Sequence, residues 1–244
     1  VIADIWTVIW KDSQELLLQG GSARRGWLSL LIIVGVFGIF MPLQTGRAWV
    51  ETPILLIYWA WIPLLMVSSS VADSFAGERE RRTLETLLAS RLSDRAILFG
   101  KLGASIGYGW GLTMASLLVG LITINVAHGQ GELLLYPASI FLSVVVLSLL
   151  ASALAAGIGV LVSLRASTVQ QATQRLSIGL MIVIFAPLLS QVLPIEWRAR
   201  IGRALQGADW TAIVLIVSVF LTVLDAFLIS AAMARFRRAR LILD

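Results

Sequence analysis

Long apolar runs alternate with short charged segments along the whole chain, and that alternation predicts its elements. The runs cover Trp27 to about Leu43 and then roughly 53–72, 102–124, 137–164, 176–195 and 210–234, each bounded by charge, Gly or Pro. A membrane-crossing helix needs about 20 mostly apolar residues to match a hydrocarbon core of about 30 Å. Six such runs predict six transmembrane helices. Ahead of them, residues 1–19 place Ile2, Ile5, Trp6, Ile9 and Leu16 on one helical face, with Asp4, Lys11, Asp12 and Glu15 largely elsewhere. That pattern predicts an interfacial helix with tryptophans at headgroup depth. Gly20, Gly21 and Ser22 end it, so residues 1–22 form one N-terminal unit.

Two polar stretches have a pattern of their own. Residues 73–101 separate the second and third runs, and Glu78 to Ala89 is amphipathic, with Leu84, Leu87 and Leu88 together. Ser93 then suits a helix N-cap, because Asp94 follows it in the first turn and Leu92 is placed to staple onto Ile97. A short helix, a turn and a capped helix running into the next span predict a stiff lever. Residues 195–209 carry Arg198, Arg200 and Arg203 beside Ile195, Trp197, Ile201 and Leu205, which predicts a second amphipathic helix lying in the interface before the sixth span.

Charge fixes the orientation. Of the 19 Lys and Arg, 15 fall in the N-terminal segment, the 73–101 segment, the 165–175 segment and the C-terminus, and only four in the alternate segments. The positive-inside rule then predicts cytoplasmic termini and a cytoplasmic 73–101 lever, with 195–209 on the outer face. Composition agrees, since 58% of the residues are hydrophobic and 14% charged. This is an all-α integral membrane protein with a single membrane domain. The net charge of +5 reflects membrane orientation and predicts no nucleic-acid partner.

Candidate chemistry is sparse. With no Cys and one His, thiolate metal sites and cysteine nucleophiles are excluded and no metal site is expected. Gly100-Lys101 has the look of the end of a phosphate loop, but Arg95 and Leu102 stand where that loop needs Gly and Ser or Thr. No catalytic residues are expected, and if energy drives the chain another polypeptide supplies it. Gly103, Gly107 and Gly111 in the third run, and Ala151, Ala155 and Gly159 in the fourth, have the small-xxx-small spacing of helix-packing faces. Asp225 is the one acid well inside a predicted span. It is expected either beside a polar pathway or substrate cation, or packed and hydrogen-bonded near the cytoplasmic third, reaching Arg235 or Lys101. Ser68, Ser69, Ser70 and Asn125 are expected to bond from helix to helix.

The sequence Gly77-Glu78-Arg79-Glu80, then Thr83-Leu84-Glu85, Leu87-Leu88, Ser93 and Gly100-Lys101, resembles permease subunits of type-2 (ABC-2) ATP-binding-cassette exporters. Trp10-Lys11-Asp12 with Glu15-Leu16-Leu17, and Ser163 to Gln174, are similar to the same family, so the likeness runs over most of the chain. Arg82 departs from the family pattern where Gly often precedes the Thr, and Arg91-Leu92 replaces a common Pro.

The resemblance implies one permease domain over 1–244, with residues 1–22 as the elbow helix and 73–101 as the coupling segment on which a cytosolic ATPase docks. It implies coupling roles for Glu78, Arg79, Glu80, Thr83, Leu84, Glu85, Leu87 and Leu88. It also implies a second permease half, identical or related, in the bacterial inner membrane. ATP and Mg would be held by the partner ATPase and no cofactor by this chain. On this reading Glu78, Glu80 and Glu85 pair with basic residues of the ATPase and are not needed to hold the membrane core together. Two readings from other classes compete with it. One is a non-transporting scaffold or assembly factor; the other, a channel or secondary transporter, is disfavoured by such uniformly apolar runs.

Overall fold

In the computed structural model, residues 2–18, 23–52, 56–81, 91–189, 194–198, 200, 207 and 209–236 are described, and every regular element among them is helical. In chain order these are α1 (Ile2–Leu18), α2 (Ala23–Val34), a π-helical stretch (Gly35–Phe40), α3 (Met41–Thr45), α4 (Ala48–Glu51), α5 (Leu56–Glu80), α6 (Asp94–His128), α7 (Ala138–Ser163), α8 (Val169–Leu189) and α9 (Trp210–Arg235). Among the described residues, α6, α7 and α9 are long and apolar enough to cross a membrane.

The first apolar run forms α2, the π stretch and α3 end to end. Pro42 has no N–H to donate to the Gly38 carbonyl four residues back, and the Thr123 hydroxyl of α6 lies 2.8 Å from that oxygen. A Cβ on Gly38 would sit 2.9 Å from Val119, so the helices meet where the backbone pattern changes.

Helices α5, α6 and α7 pack on one another and form the centre. Their closest approach uses Gly109, where a Cβ would collide with Val67, and Gly159, where it would sit 2.9 Å from Val71. Missing side chains let apolar backbones come together where dispersion must replace the hydrophobic drive. One core joins Val71 and Phe75 of α5, Ile97, Leu98 and Leu102 of α6, Ala155 and Val160 of α7, and Ala232 of α9. A second, toward the far end of α6, surrounds Trp49 and Trp59, whose rings lie 5.3 Å apart. Around this centre, α1 lies along α6, α8 along α5, and α9 along α7.

Two features differ from the sequence pattern: where α5 ends and which side of α1 is buried. Helix α5 continues through the charged residues to Glu80, so Asp73 to Glu80 extend the second apolar run and do not open a separate helix. In α1, Ile2 and Trp6 are exposed while Val8 and Asp12 are buried, so the protein-facing side is not the stripe that the apolar pattern marks. Helix α6 has 35 residues, about 52 Å at 1.5 Å per residue, so the helix that opens after Ser93 runs into the third span as expected. Ser93 caps α6 as expected, its Oγ accepting from the Ala96 N–H at 3.2 Å. In the 195–209 stretch, residues 195–198 are helical and the Arg200 guanidinium lies 5.9 Å from the Trp197 ring.

Candidate functional site

The polar centre of the molecule lies where α1, α5 and the start of α6 meet. Residues 97, 98, 101, 102 and 105 follow a helical stripe on α6, and Lys101 therefore points the same way as its buried neighbours Ile97, Leu98 and Leu102. Its side chain is 3% exposed. The ammonium donates to Glu78 Oε1 at 2.9 Å, Ser74 Oγ at 3.1 Å, the Ser74 carbonyl at 3.2 Å and Asp12 Oδ2 at 3.3 Å. It also lies 5.6 Å from the centroid of the Phe75 ring. Ser74 Oγ reaches Asp12 Oδ2 at 3.4 Å, closing the network.

The arrangement follows from local structure. Ser74 and Glu78 are four residues apart on α5 and so share a face. Gly100 lets α1 approach α6, because a Cβ there would sit 2.5 Å from Val8, and Asp12 is one turn further along the same face of α1. One ammonium thus holds two carboxylates from two other helices, with Asp12 7% and Glu78 16% exposed. Such a cluster is stable only while each charge keeps its partner, since the desolvation of each ion is offset by the others. It can transmit displacement, because moving α5 moves the groups that fix α1 and α6. Helix α5 and α6 are also joined by the Ser70–Ser105 hydroxyl pair at 2.9 Å.

The next two residues of α5 face α7 and α8. Arg79 Nη1 donates to the Leu164 and Ala166 carbonyls just past the end of α7, at 3.1 and 3.3 Å. Glu80 Oε2 accepts from the Val169 N–H at the start of α8, at 3.0 Å. Glu78, Arg79 and Glu80 are therefore engaged within the chain. For Glu78, built into the buried cluster, this departs from the expectation that it is not needed to hold the core together, while Glu80 is exposed and its bond to Val169 does not bear on the core. Asp12, Ser74 and Lys101 are central: the sequence pattern places Asp12 off the apolar face of an interfacial helix and Lys101 at the end of the lever, with Asp225 as its possible partner, and singles out neither as a partner of the other. Thr83, Leu84, Glu85, Leu87 and Leu88 lie outside the described residues.

The remaining predicted positions separate. Ala151 and Ala155 are buried, and Gly159 lies against α5. A Cβ on Gly103 would sit 3.0 Å from Ile9 of α1, whereas Gly107 and Gly111 have nothing within 4 Å and line an open groove with Ser13, Leu30 and Tyr108. Asp225 is 5% exposed and its carboxylate has no hydrogen-bond partner among the described residues, so it reaches neither Lys101 nor Arg235. Ser69 bonds to the Met66 carbonyl of its own helix. Asn125 bonds not to another helix but to the backbone of Leu134 in the following connection. The described residues contain no group of three or more His, Cys, Asp or Glu able to hold a metal ion.

Residues 57–200, more than half of the chain, match the family model of ABC-2 family transporter proteins. A comparison with curated proteins finds no match. The chain belongs to the ABC-2 transporter family, and is a membrane-embedded permease of that class.

Proposed function

From membership of the ABC-2 family we infer that this permease is one half of the membrane pathway of an ATP-driven exporter. It has six spans, cytoplasmic termini and a second permease half, identical or related, in a bacterial inner membrane. Cytosolic ATPase subunits dock on the segment between α5 and α6, where Thr83, Leu84, Glu85, Leu87 and Leu88 supply the contact. ATP and Mg stay on those subunits, and this chain hydrolyses nothing. ATP binding draws the ATPases together and displaces the docked segment, and the pathway between the two halves switches outward.

One observation carries this reading: both ends of the docking segment are anchored in a single buried network. Glu78 enters it from the last turn of α5 and Lys101 from the second turn of α6, and Asp12 adds the N-terminal helix. A displacement at residues 82–90 is thereby delivered to α1, α5 and α6 together. A docking site without transport would need no such connection to three helices.

The test is purification of the complex in mild detergent followed by reconstitution. Two copies of a permease half with two ATPases, and ATP turnover that rises several-fold when this chain is present, are expected. A chain that recruits an ATPase without altering its turnover would be a scaffold, and one that moves solute as a single chain without any ATPase would be a secondary transporter or channel.

A further inference from the structure

Adjacent residues of α5 hold the two ends of one turn. Past the end of α7, the Leu164 and Ala166 carbonyls receive the Arg79 guanidinium, and the first N–H of α8, on Val169, is received by the Glu80 carboxylate. The signs match the helices. A helix C-terminus presents unpaired carbonyls and the negative end of its dipole, which favour a cation, and an N-terminus presents unpaired N–H groups and the positive end, which favour an anion. Beneath the pair, Ala72 and Ala76 of α5 pack with Ala166, Ala172 and Leu176, and all four alanines are fully buried. A Cβ on Gly77 would sit 3.4 Å from Val169. Small residues bring the backbones close enough for side chains from one turn of α5 to reach both ends of the connection.

We propose that Arg79 and Glu80 are positioning residues for coupling: they fasten the α7–α8 turn to the end of α5, so that α5, α7 and α8 move as one body. The proposal rests on the reading above, that ATPases drive the chain through the segment following Glu80. Glu78 passes a displacement to α1 and α6, while Arg79 and Glu80 pass it to α7 and α8. Three successive residues thus address four helices besides their own.

The chain has no Cys, so two introduced thiols can be spin-labelled without background. Arg81 and Ser167 are exposed, one beyond the end of α5 and the other in the α7–α8 turn. In the complex carrying Arg81→Cys and Ser167→Cys, the expected result is one inter-label distance, unchanged between nucleotide-free, ATP-bound and vanadate-trapped states. Arg79→Ala should broaden that distance and lower permease-dependent ATP turnover about tenfold, within the range of typical coupling energies, without reducing the amount of ATPase co-purified. Arg79→Lys, which keeps the cation at the carbonyls, should recover most of it.

A label distance that changes between nucleotide states overturns the proposal, and that measurement requires no change at Arg79. So does an Arg79→Ala complex that keeps its turnover, or one that loses the ATPase itself, which would make Arg79 a docking contact. If the unaltered chain recruits no ATPase, the reading as a driven permease fails and the proposal with it. Moving labels in an assembled complex overturn the proposal alone.

Discussion

The two ends of α6 solve the same problem with different chemistry. Near its start, Lys101 joins groups from α1 and α5 that lie 89 and 23 residues away in sequence, and the joining groups are ionised. Near its end, the closing groups are neutral and mostly local. Asn125 donates to the Leu121 and Leu134 carbonyls and accepts from the Leu134 N–H, and Thr123 reaches Gly38. The Tyr136 hydroxyl lies 3.4 Å from the Leu117 carbonyl, and burial pushes its pKa above the ordinary value. Neutral bonds can be lost one at a time. The single Lys101 ammonium serves both carboxylates, so losing it leaves two uncompensated charges at once, and the end facing the docking segment is held as a unit.

The comparison breaks most readily at Lys101. Lys101→Met leaves Asp12 and Glu78 facing each other with no cation between them, and removing one partner of a buried ion cluster is destabilising by about 3–5 kcal/mol. The expected outcome is a large fall in the melting temperature in detergent, with much of it recovered when Asp12→Asn and Glu78→Gln are added. Glu78→Lys should be of similar severity, because it sets a second ammonium beside Lys101. A Lys101→Met protein that melts with the unaltered one would show that the cluster is held by solvent and not by its members.

The apolar runs that form α6, α7 and α9 and the Ser93 cap were legible because each is a local pattern: a long hydrophobic stretch sets a span-length helix, and a hydroxyl three residues before a free N–H sets a cap. Lys101 was not, although a signal existed. It falls on the stripe of Ile97, Leu98 and Leu102, and a charge on the buried stripe of a helix implies a partner without naming it. Asp12 was not singled out for the same reason, its partners being far along the chain. The charges after residue 72 were expected to belong to a separate lever, yet α5 continues through them to Glu80, and Glu78, Arg79 and Glu80 each find an intramolecular partner. Glycine spacing marked a face of α6 but not the glycine that meets α5. That one is Gly109, outside the Gly103, Gly107 and Gly111 repeat.

A smaller effect is expected at the neutral end. Asn125→Ala removes the acceptor of the Leu134 N–H and the donor to the Leu134 carbonyl, both partly buried. Leaving such groups unpaired costs roughly 1–3 kcal/mol. Faster hydrogen exchange at the Leu134 amide, with exchange at the start of α6 unchanged, would localise the loss to this end. Equal acceleration at both ends would mean that α6 loosens as a whole, and the contrast between its ends would not hold.

The smallest effect sharpens the contrast by matching charge type. Arg47 and Glu132 also form an ion pair at the neutral end, at 3.7 Å, but their side chains are 43% and 75% exposed. In high dielectric the Coulomb gain is nearly matched by hydration and by the entropy of ordering two long side chains, so such pairs contribute about 0–1 kcal/mol. A double-mutant cycle with Arg47→Ala and Glu132→Ala should therefore give a small coupling energy that fades as salt is added. The same cycle at Lys101 and Glu78 should give a larger one that salt changes less, because their side chains are only 3% and 16% exposed. If the exposed pair couples as strongly as the buried one, burial is not what separates the two ends of α6. The assignment of the coupling junction to the Lys101 cluster would then lose its physical basis.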